Sequence, residues 1–345
     1  MKKIRISTFS KDSTLLRQTP ENTGVWKETG FHVDDGIEAC DWWVVYDGMA
    51  SAESALCPKE RTIFVTGEPA SIKKYNKSFL KQFGMIITSQ REIKGKNVVY
   101  SHTSLPWSLG KRGAGKKLLG LSKDYDELKR IGTPEKTRLI SIVTSNKSYT
   151  KGHRKRLAFV RRMQAHFGDR LDVFGPALGI ADSEYDGIRF KYHEDKWDAV
   201  APYKYHIAIE NSLYEDYWTE KLADAFLAEA YPIYYGCPNA ESYFDTDSFA
   251  RIDIEKPGEA IEIIENAIRG SAYEKAVPSI ARSKSLILER YNLFPMLDAF
   301  TDGRADLLSV PIIGITTIRP ESEFKKATGI FGKILTAAKR ALPFN

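Results

Sequence analysis

His206-Ile-Ala-Ile-Glu-Asn-Ser-Leu-Tyr-Glu-Asp-Tyr-Trp-Thr-Glu-Lys-Leu-Ala-Asp-Ala-Phe226, followed closely by Tyr231-Pro-Ile-Tyr-Tyr-Gly-Cys-Pro238, decides the fold class of this chain. The stretch reads as a buried strand, a polar loop, a helix, and a second buried strand ending in a turn. Polar residues crowd at the carboxyl end of the first strand and in the first helical turn, where open α/β sheets hold ligands. The helix is predicted to start at Thr219, whose hydroxyl can cap free backbone N–H groups. Such an N-terminus attracts anions, phosphate above all. Glu220 and Lys221 fall in that first turn, with Glu210, Asn211 and Tyr217 just before it. A carboxylate can accept from ribose hydroxyls while an ammonium faces a diphosphate, so the set implies a sugar-nucleotide site. The plain alternative is a generic capped helix, since glutamate at a helix start is favoured by the macrodipole in any case.

Outward from this unit the pattern is α/β throughout. Strands are predicted at 4–8, 42–46, 62–66, 85–88 and 98–101, and a helix over 71–83 from the spacing of Ile72, Tyr75, Phe79 and Phe83. Gly110-Lys-Arg-Gly-Ala-Gly-Lys-Lys117 lacks the order of a phosphate loop and reads as a flexible basic linker. Beyond it, strands are predicted at 139–144, 171–174, 204–210, 231–235 and 249–253, with helices at about 152–167, 219–229, 257–269 and 273–290. Alternating strands and helices imply parallel sheets covered on both faces. The expected division is 1–125 as a first Rossmann-like domain, 126–310 as a second that binds the nucleotide, and 311–345 as a basic tail.

Length and composition agree with two cores: 345 residues, 42% of them hydrophobic. The 51 basic and 45 acidic residues leave a modest net charge of +6, suited to an anionic substrate or a membrane surface. No aromatic-interleaved basic stripe or zinc-finger spacing points to nucleic acid. Cys40, Cys57 and Cys237 are odd in number and share no metal-ligand spacing, which suits a reducing cytoplasm. Met1-Lys-Lys-Ile-Arg-Ile-Ser-Thr-Phe-Ser10 lacks the apolar core of a signal peptide and reads as a first strand.

Three elements in order, Glu210-Asn211-Ser212, Tyr217-Trp218-Thr219-Glu220-Lys221 and Pro232-Ile233-Tyr234-Tyr235-Gly236, resemble the signature of the family 10 fucosyltransferases, which transfer L-fucose from GDP-fucose. Order and spacing hold over some thirty residues. The resemblance implies a GT-B architecture, with two Rossmann-like domains facing across a cleft. It also implies donor contacts from Asn211, Tyr217, Glu220 and Lys221, and from Glu210, which as the end of a strand has a structural alternative. Ser145-Asn146, with Arg156 three positions before Phe159, is similar to a family segment that meets the diphosphate; Arg154 is a close rival. Gly67-Glu68-Pro69 resembles the family turn whose glutamate acts as general base, so Glu68 is the expected catalytic residue, with the structural alternative of a turn glutamate capping a helix. One base on the first domain, with the donor leaving from the far face, implies inversion and an α-fucoside. Linkage is α1,3 by analogy with the family.

Transfer of this kind needs cations or N–H groups for the leaving diphosphate and a base for the acceptor hydroxyl. No cofactor or metal is expected to be required; Asp245-Thr-Asp247 is read as a chance acidic pair. The expected partners are GDP-fucose and a glycan acceptor of N-acetylglucosamine, lipopolysaccharide, capsule or other lipid-linked type, with no nucleic acid. The tail from Phe324 to Phe344 has two readings, as a basic amphipathic helix on an anionic membrane or as a helix packed back on protein. The resemblance, with no apolar run long enough to span a bilayer, implies a bacterial-type cytoplasmic enzyme, soluble or peripheral on the inner membrane face. The alternatives are a GT-B transferase for another sugar nucleotide and a catalytically silent sugar-nucleotide binder.

Overall fold

Strands that are apolar on both faces need cover on both faces, and here that produces two parallel sheets. The computed structural model describes residues 1–11, 14–114, 117–148, 151–175, 182–311 and 314–324. The first sheet runs, edge to edge, Val25–Trp26, Thr29–Val33, Lys2–Thr8, Trp42–Tyr46, Thr62–Val65, Met85–Thr88 and Val98–Tyr100. All its neighbours are parallel except the short hairpin pair at the Val25 edge. Trp42–Tyr46 and Thr62–Val65 are buried at every residue, as central parallel strands should be.

The second sheet has the order Leu171–Phe174, Arg138–Val143, Tyr203–Ile209, Tyr231–Tyr235, Ala250–Arg251, all parallel. In chain order this is 2-1-3-4-5, so the winding reverses between Arg138–Val143 and Tyr203–Ile209. A crevice opens at such a switch point, beyond the carboxyl ends of the two strands. Helices Lys151–Phe167, Glu220–Leu227, Pro257–Arg269 and Ala272–Leu286 cover this sheet. The fold is therefore α/β of GT-B type, with two parallel-sheet halves meeting along a cleft.

Two local expectations are corrected. The helix anticipated over 71–83 shrinks to one turn, Lys77–Leu80, capped by Asn76, whose side chain accepts from Ser78 N at 2.8 Å. Tyr75, Phe79 and Phe83 do bury, edge-on or tilted against Phe64, but Ile72 stays 48% exposed. The Tyr75 hydroxyl is held by Gly67 N at 3.1 Å and by the Asp47 carboxylate, which keeps the segment extended where helical spacing alone would continue it. The glycine–lysine stretch is not a linker but an antiparallel hairpin, Lys111–Ala114 with Lys117–Leu121. Gly113 N donates to Glu194 O at 2.9 Å, and Arg112 pairs with Glu194, so the hairpin is docked on the second half.

After residue 292 the chain returns to the first half. Helix Leu293–Asp302 packs Phe294 edge-on against Phe31, with centroids 5.0 Å apart, and strand Ile315–Ile318 pairs with Glu53–Leu56. Residues 325–345, which carry nearly all of the basic tail, lie outside the described residues. Among the described residues no helix is long and apolar enough to cross a membrane.

Candidate functional site

Ile207 and Ile209 bury in their sheet and carry Glu210 and Asn211 beyond its edge. Thr219 caps helix Glu220–Leu227, its hydroxyl accepting from Lys221 N at 3.3 Å. Glu210 is spent on the same cap. Its two carboxylate oxygens accept from Thr219 N and Thr219 Oγ1, each at 2.8 Å, so it ties strand to helix. Burial pushes its carboxyl up to about 7 despite Lys221 nearby. The motif glycine has a packing cause: a Cβ on Gly236 would stand 2.4 Å from Glu210 Cγ and 2.2 Å from the Tyr234 hydroxyl. The spacing between Glu210 and Gly236 is thus a contact requirement.

The crevice holds a cavity of about 440 Å³. Thr144, Ser145 and Lys147 line it from beyond the first strand, His153 and Arg156 from the helix that follows, and Asn211, Glu220 and Lys221 from the motif. His193 enters from the loop before the third strand and Lys196 from the first position of the short helix Lys196–Val200. Lys147, Arg156, Lys196 and Lys221 thus face Glu220, the one carboxylate in the lining among the described residues. Burial tends to raise the Glu220 carboxyl, but Lys221 and Lys196 overcome that and hold it down at about 2, so it is ionised. Its Oε1 lies 2.7 Å from Lys221 Nζ. Lys196 also bonds the buried Asp224 at 2.7 Å. Burial and Lys196 push His193 down to about 4, leaving a neutral imidazole beside these cations.

The two candidate arginines separate in space. Arg156 is buried, donates to Ser145 Oγ at 2.9 Å, Ser145 O at 3.2 Å and Asn211 Oδ1 at 3.3 Å, and has no carboxylate partner among the described residues. Burial lowers the affinity of its guanidinium for its proton. A buried guanidinium without a counter-charge is costly, and a bound anion would relieve that cost. Arg154 is exposed, donates to Ser148 O at 3.1 Å, and does not line the cavity.

Tyr217 is buried beside the cavity, and burial with Glu210, Glu68 and Glu220 holds its hydroxyl firmly protonated. It is therefore a donor. Glu68 lies across the cleft, on the turn after Thr62–Val65. Gly67 lets this turn close on Asp47, since a Cβ there would meet Asp47 Cγ at 2.8 Å. Asp47 itself sits at φ +57° and gathers Lys73 Nζ at 3.0 Å and the Tyr75 hydroxyl. Gln90 Nε2 donates to Glu68 O at 2.6 Å. The Glu68 carboxylate accepts no hydrogen bond from any described residue. Burial and then Asp47 push its carboxyl above the ordinary range, against the pull of Lys221. Ser71 Oγ meets Ser212 Oγ at 2.6 Å, bringing the Glu68 loop against the motif loop.

The structure thus brings Glu68, Arg156, Asn211, Tyr217, Glu220 and Lys221 to one cleft, turns Glu210 to the cap and leaves Arg154 outside. Sequence reading missed Lys196, His193, Tyr46 and Asp47. Lys196 opens a short helix, Lys196–Val200, capped by Asp195, and its place at the cavity depends on how that helix is seated, which no spacing in the sequence marks. Among the described residues no group of three or more His, Cys, Asp or Glu is arranged to hold a metal. Asp245 is paired with Arg282 at 2.7 Å.

Comparison with known proteins places a family match over this region. The family model described as glycosyltransferase family 10 (fucosyltransferase), C-terminal part, matches residues 133–265. Alpha-(1,3)-fucosyltransferase 7 of Bos taurus is 33% identical over 123 residues, 35% of this chain and 32% of that protein. An alpha-(1,3)-fucosyltransferase of Helicobacter pylori is 33% identical over 99 residues, 28% of this chain and 20% of that protein. The chain therefore spans about a third or less of the length of these curated relatives. A crystal structure of alpha1,3-fucosyltransferase with GDP aligns at 18% identity and TM-score 0.46, covering 85% of this chain and 93% of that one. Residues 133–265, which carry the capped helix, the cationic cavity and the switch point, are the part of the chain that is similar to the C-terminal part of glycosyltransferase family 10.

Proposed function

We propose that this protein transfers L-fucose from GDP-fucose to a glycan hydroxyl with inversion at the anomeric carbon. The observation that carries the reading is a buried Arg156, without a carboxylate partner among the described residues, beside Lys147, Lys196 and Lys221 and opposed across the cleft by a Glu68 carboxylate that accepts no hydrogen bond from a described residue. The cations suit a diphosphate, and they supply the charge that a metal would otherwise bring to the leaving group. Glu220, ionised at the rim, suits ribose hydroxyls, and Tyr217 suits a phosphate oxygen.

In the reaction, the acceptor O–H loses its proton to Glu68 as its oxygen bonds the anomeric carbon. The bond from that carbon to the diphosphate oxygen breaks, and the electron pair leaves with GDP. Lys221 and Arg156 meet the charge that grows there. Glu68 suits the base because burial and Asp47 raise its proton affinity toward working pH. An α1,3 linkage is proposed on the names of the relatives, which are α1,3-fucosyltransferases, and an N-acetylglucosamine-type acceptor on that of a relative from Mus musculus, a 4-galactosyl-N-acetylglucosaminide 3-alpha-L-fucosyltransferase.

The test is transfer of radiolabelled fucose from GDP-fucose to N-acetyllactosamine and to extracted bacterial glycans, by wild type and Glu68→Gln, with GDP binding measured alongside. The wild type transfers fucose; the variant binds GDP normally and loses about 10²–10⁴-fold in rate, the usual contribution of a general base. GDP binding without transfer to any acceptor would point to another GDP-sugar or to a silent binder, and no GDP binding would remove the donor assignment.

A further inference from the structure

Several buried polar atoms, the Tyr46 hydroxyl, Thr144 Oγ1 and His193 Nδ1 among them, have no hydrogen-bond partner among the described residues. Tyr46 ends the strand Trp42–Tyr46, and its side chain is buried in the core that runs between the two halves. Its hydroxyl is inaccessible and makes no hydrogen bond to any described residue. A buried hydroxyl normally finds a partner, and leaving it without one costs stability. The charged groups in electrostatic reach of it are Asp47 and Glu68 from the first half and Glu220 from the second. Their negative charge, added to burial, keeps this phenol protonated, so it stands as a donor.

Three carboxylates around Tyr46 also decide what kind of ligand it can meet. A phosphate would be repelled there, and it has the cationic cavity of Arg156, Lys196 and Lys221 instead. A neutral group rich in hydroxyls fits, accepting from Tyr46 and donating to carboxylates. We propose that the Tyr46 hydroxyl is a ligand of the transferred sugar, donating a hydrogen bond to one of its ring or hydroxyl oxygens. This rests on the reading of the cleft as a sugar-nucleotide site and adds a contact from the first half, on the same side as Glu68. It separates the donor into two regions, a diphosphate held by cations and a sugar held by the carboxylates and Tyr46.

The test uses Tyr46→Phe in the full chain, with affinities for GDP and for GDP-fucose measured by calorimetry and the melting temperature measured without ligand. GDP-fucose is expected to bind about 5- to 30-fold more weakly, the loss of one buried hydrogen bond. GDP affinity is expected to stay within about twofold, and the melting temperature of the free variant to hold or rise, because an unpaired buried hydroxyl has been removed. Unchanged GDP-fucose affinity in the variant overturns the proposal. So does an equal loss for GDP and GDP-fucose, which places the effect at the nucleotide. A lowered melting temperature with unchanged affinities overturns it as well, by showing that the hydroxyl is satisfied within the free protein. A wild type that binds neither nucleotide overturns the sugar-nucleotide reading itself, and this inference with it.

Discussion

Asp47 controls Glu68 through charge as well as through shape. Its carboxylate holds Lys73 and Tyr75, which fix the turn, and it stands second to burial among the causes that raise the Glu68 carboxyl. Replacing it with asparagine keeps an acceptor oxygen for Tyr75 but removes the negative charge. The Glu68 carboxyl should then fall toward its ordinary value. Since the ionised form is the base, the acidic limb of the kcat/KM profile in Asp47→Asn should move to lower pH. The plateau should drop modestly, because a weaker base takes the proton less readily. A limb that stays in place would show that Asp47 only shapes the turn. At this scale the motif residues were legible in the chain, because Asn211, Glu220 and Lys221 follow a strand and open a helix. Tyr46 and Asp47 were not. Their importance lies in a missing hydrogen bond and a neighbouring charge, both properties of three-dimensional proximity.

The strand–cap–helix unit carries an internal acid. Glu210 accepts two hydrogen bonds from Thr219, yet burial keeps its carboxyl near 7, well above the ordinary glutamate value of about 4.3. The sign of the linkage follows. A carboxyl that holds its proton more tightly when folded stabilises the fold in its protonated form. That contribution is complete below about 4.3 and is lost as pH rises through about 7. Glu210→Gln cannot titrate. Urea unfolding should therefore show the wild type losing stability relative to the variant between about pH 5 and pH 7.5, with the amide still accepting one of the two Thr219 hydrogen bonds. A constant difference across that range would mean that Lys221, 3.8 Å away, holds Glu210 ionised throughout. The element boundaries around this unit were readable, because the polar cap interrupts an apolar run on each side. The 71–83 segment was not, since its helical spacing is real but Tyr75 is claimed by the Asp47 turn. The 110–117 stretch misled for a related reason: glycines that suit a linker also suit a hairpin, and the partner at Glu194 is remote in sequence.

The two halves are joined by the returning end of the chain as well as by the crossover between them. Helix Leu293–Asp302 follows the second half yet seats Asp298 in the first, where the carboxylate accepts from Thr29 Oγ1 at 2.5 Å and pairs with Lys2 at 3.1 Å. No periodicity announces such a return, because an amphipathic helix reads the same whichever sheet it covers. The cationic cavity lies wholly in the second half, whereas Glu68 and Tyr46 belong to the first. Asp298→Ala strips the buried partner from Thr29 and leaves Lys2 with the exposed Asp302 and the residue-298 carbonyl, at a cost of about 2–4 kcal/mol in docking. The consequences should be unequal. GDP binding needs only the second half and should stay near wild type. Fucose transfer needs both halves in register and should fall by about tenfold or more, since small misplacement of a base is expensive. Urea unfolding should broaden or split, with the first half leaving earlier. Parallel loss of GDP binding and transfer, or one sharp transition shifted as a whole, would show instead that the halves fold as a single unit and that the cavity depends on the clamp.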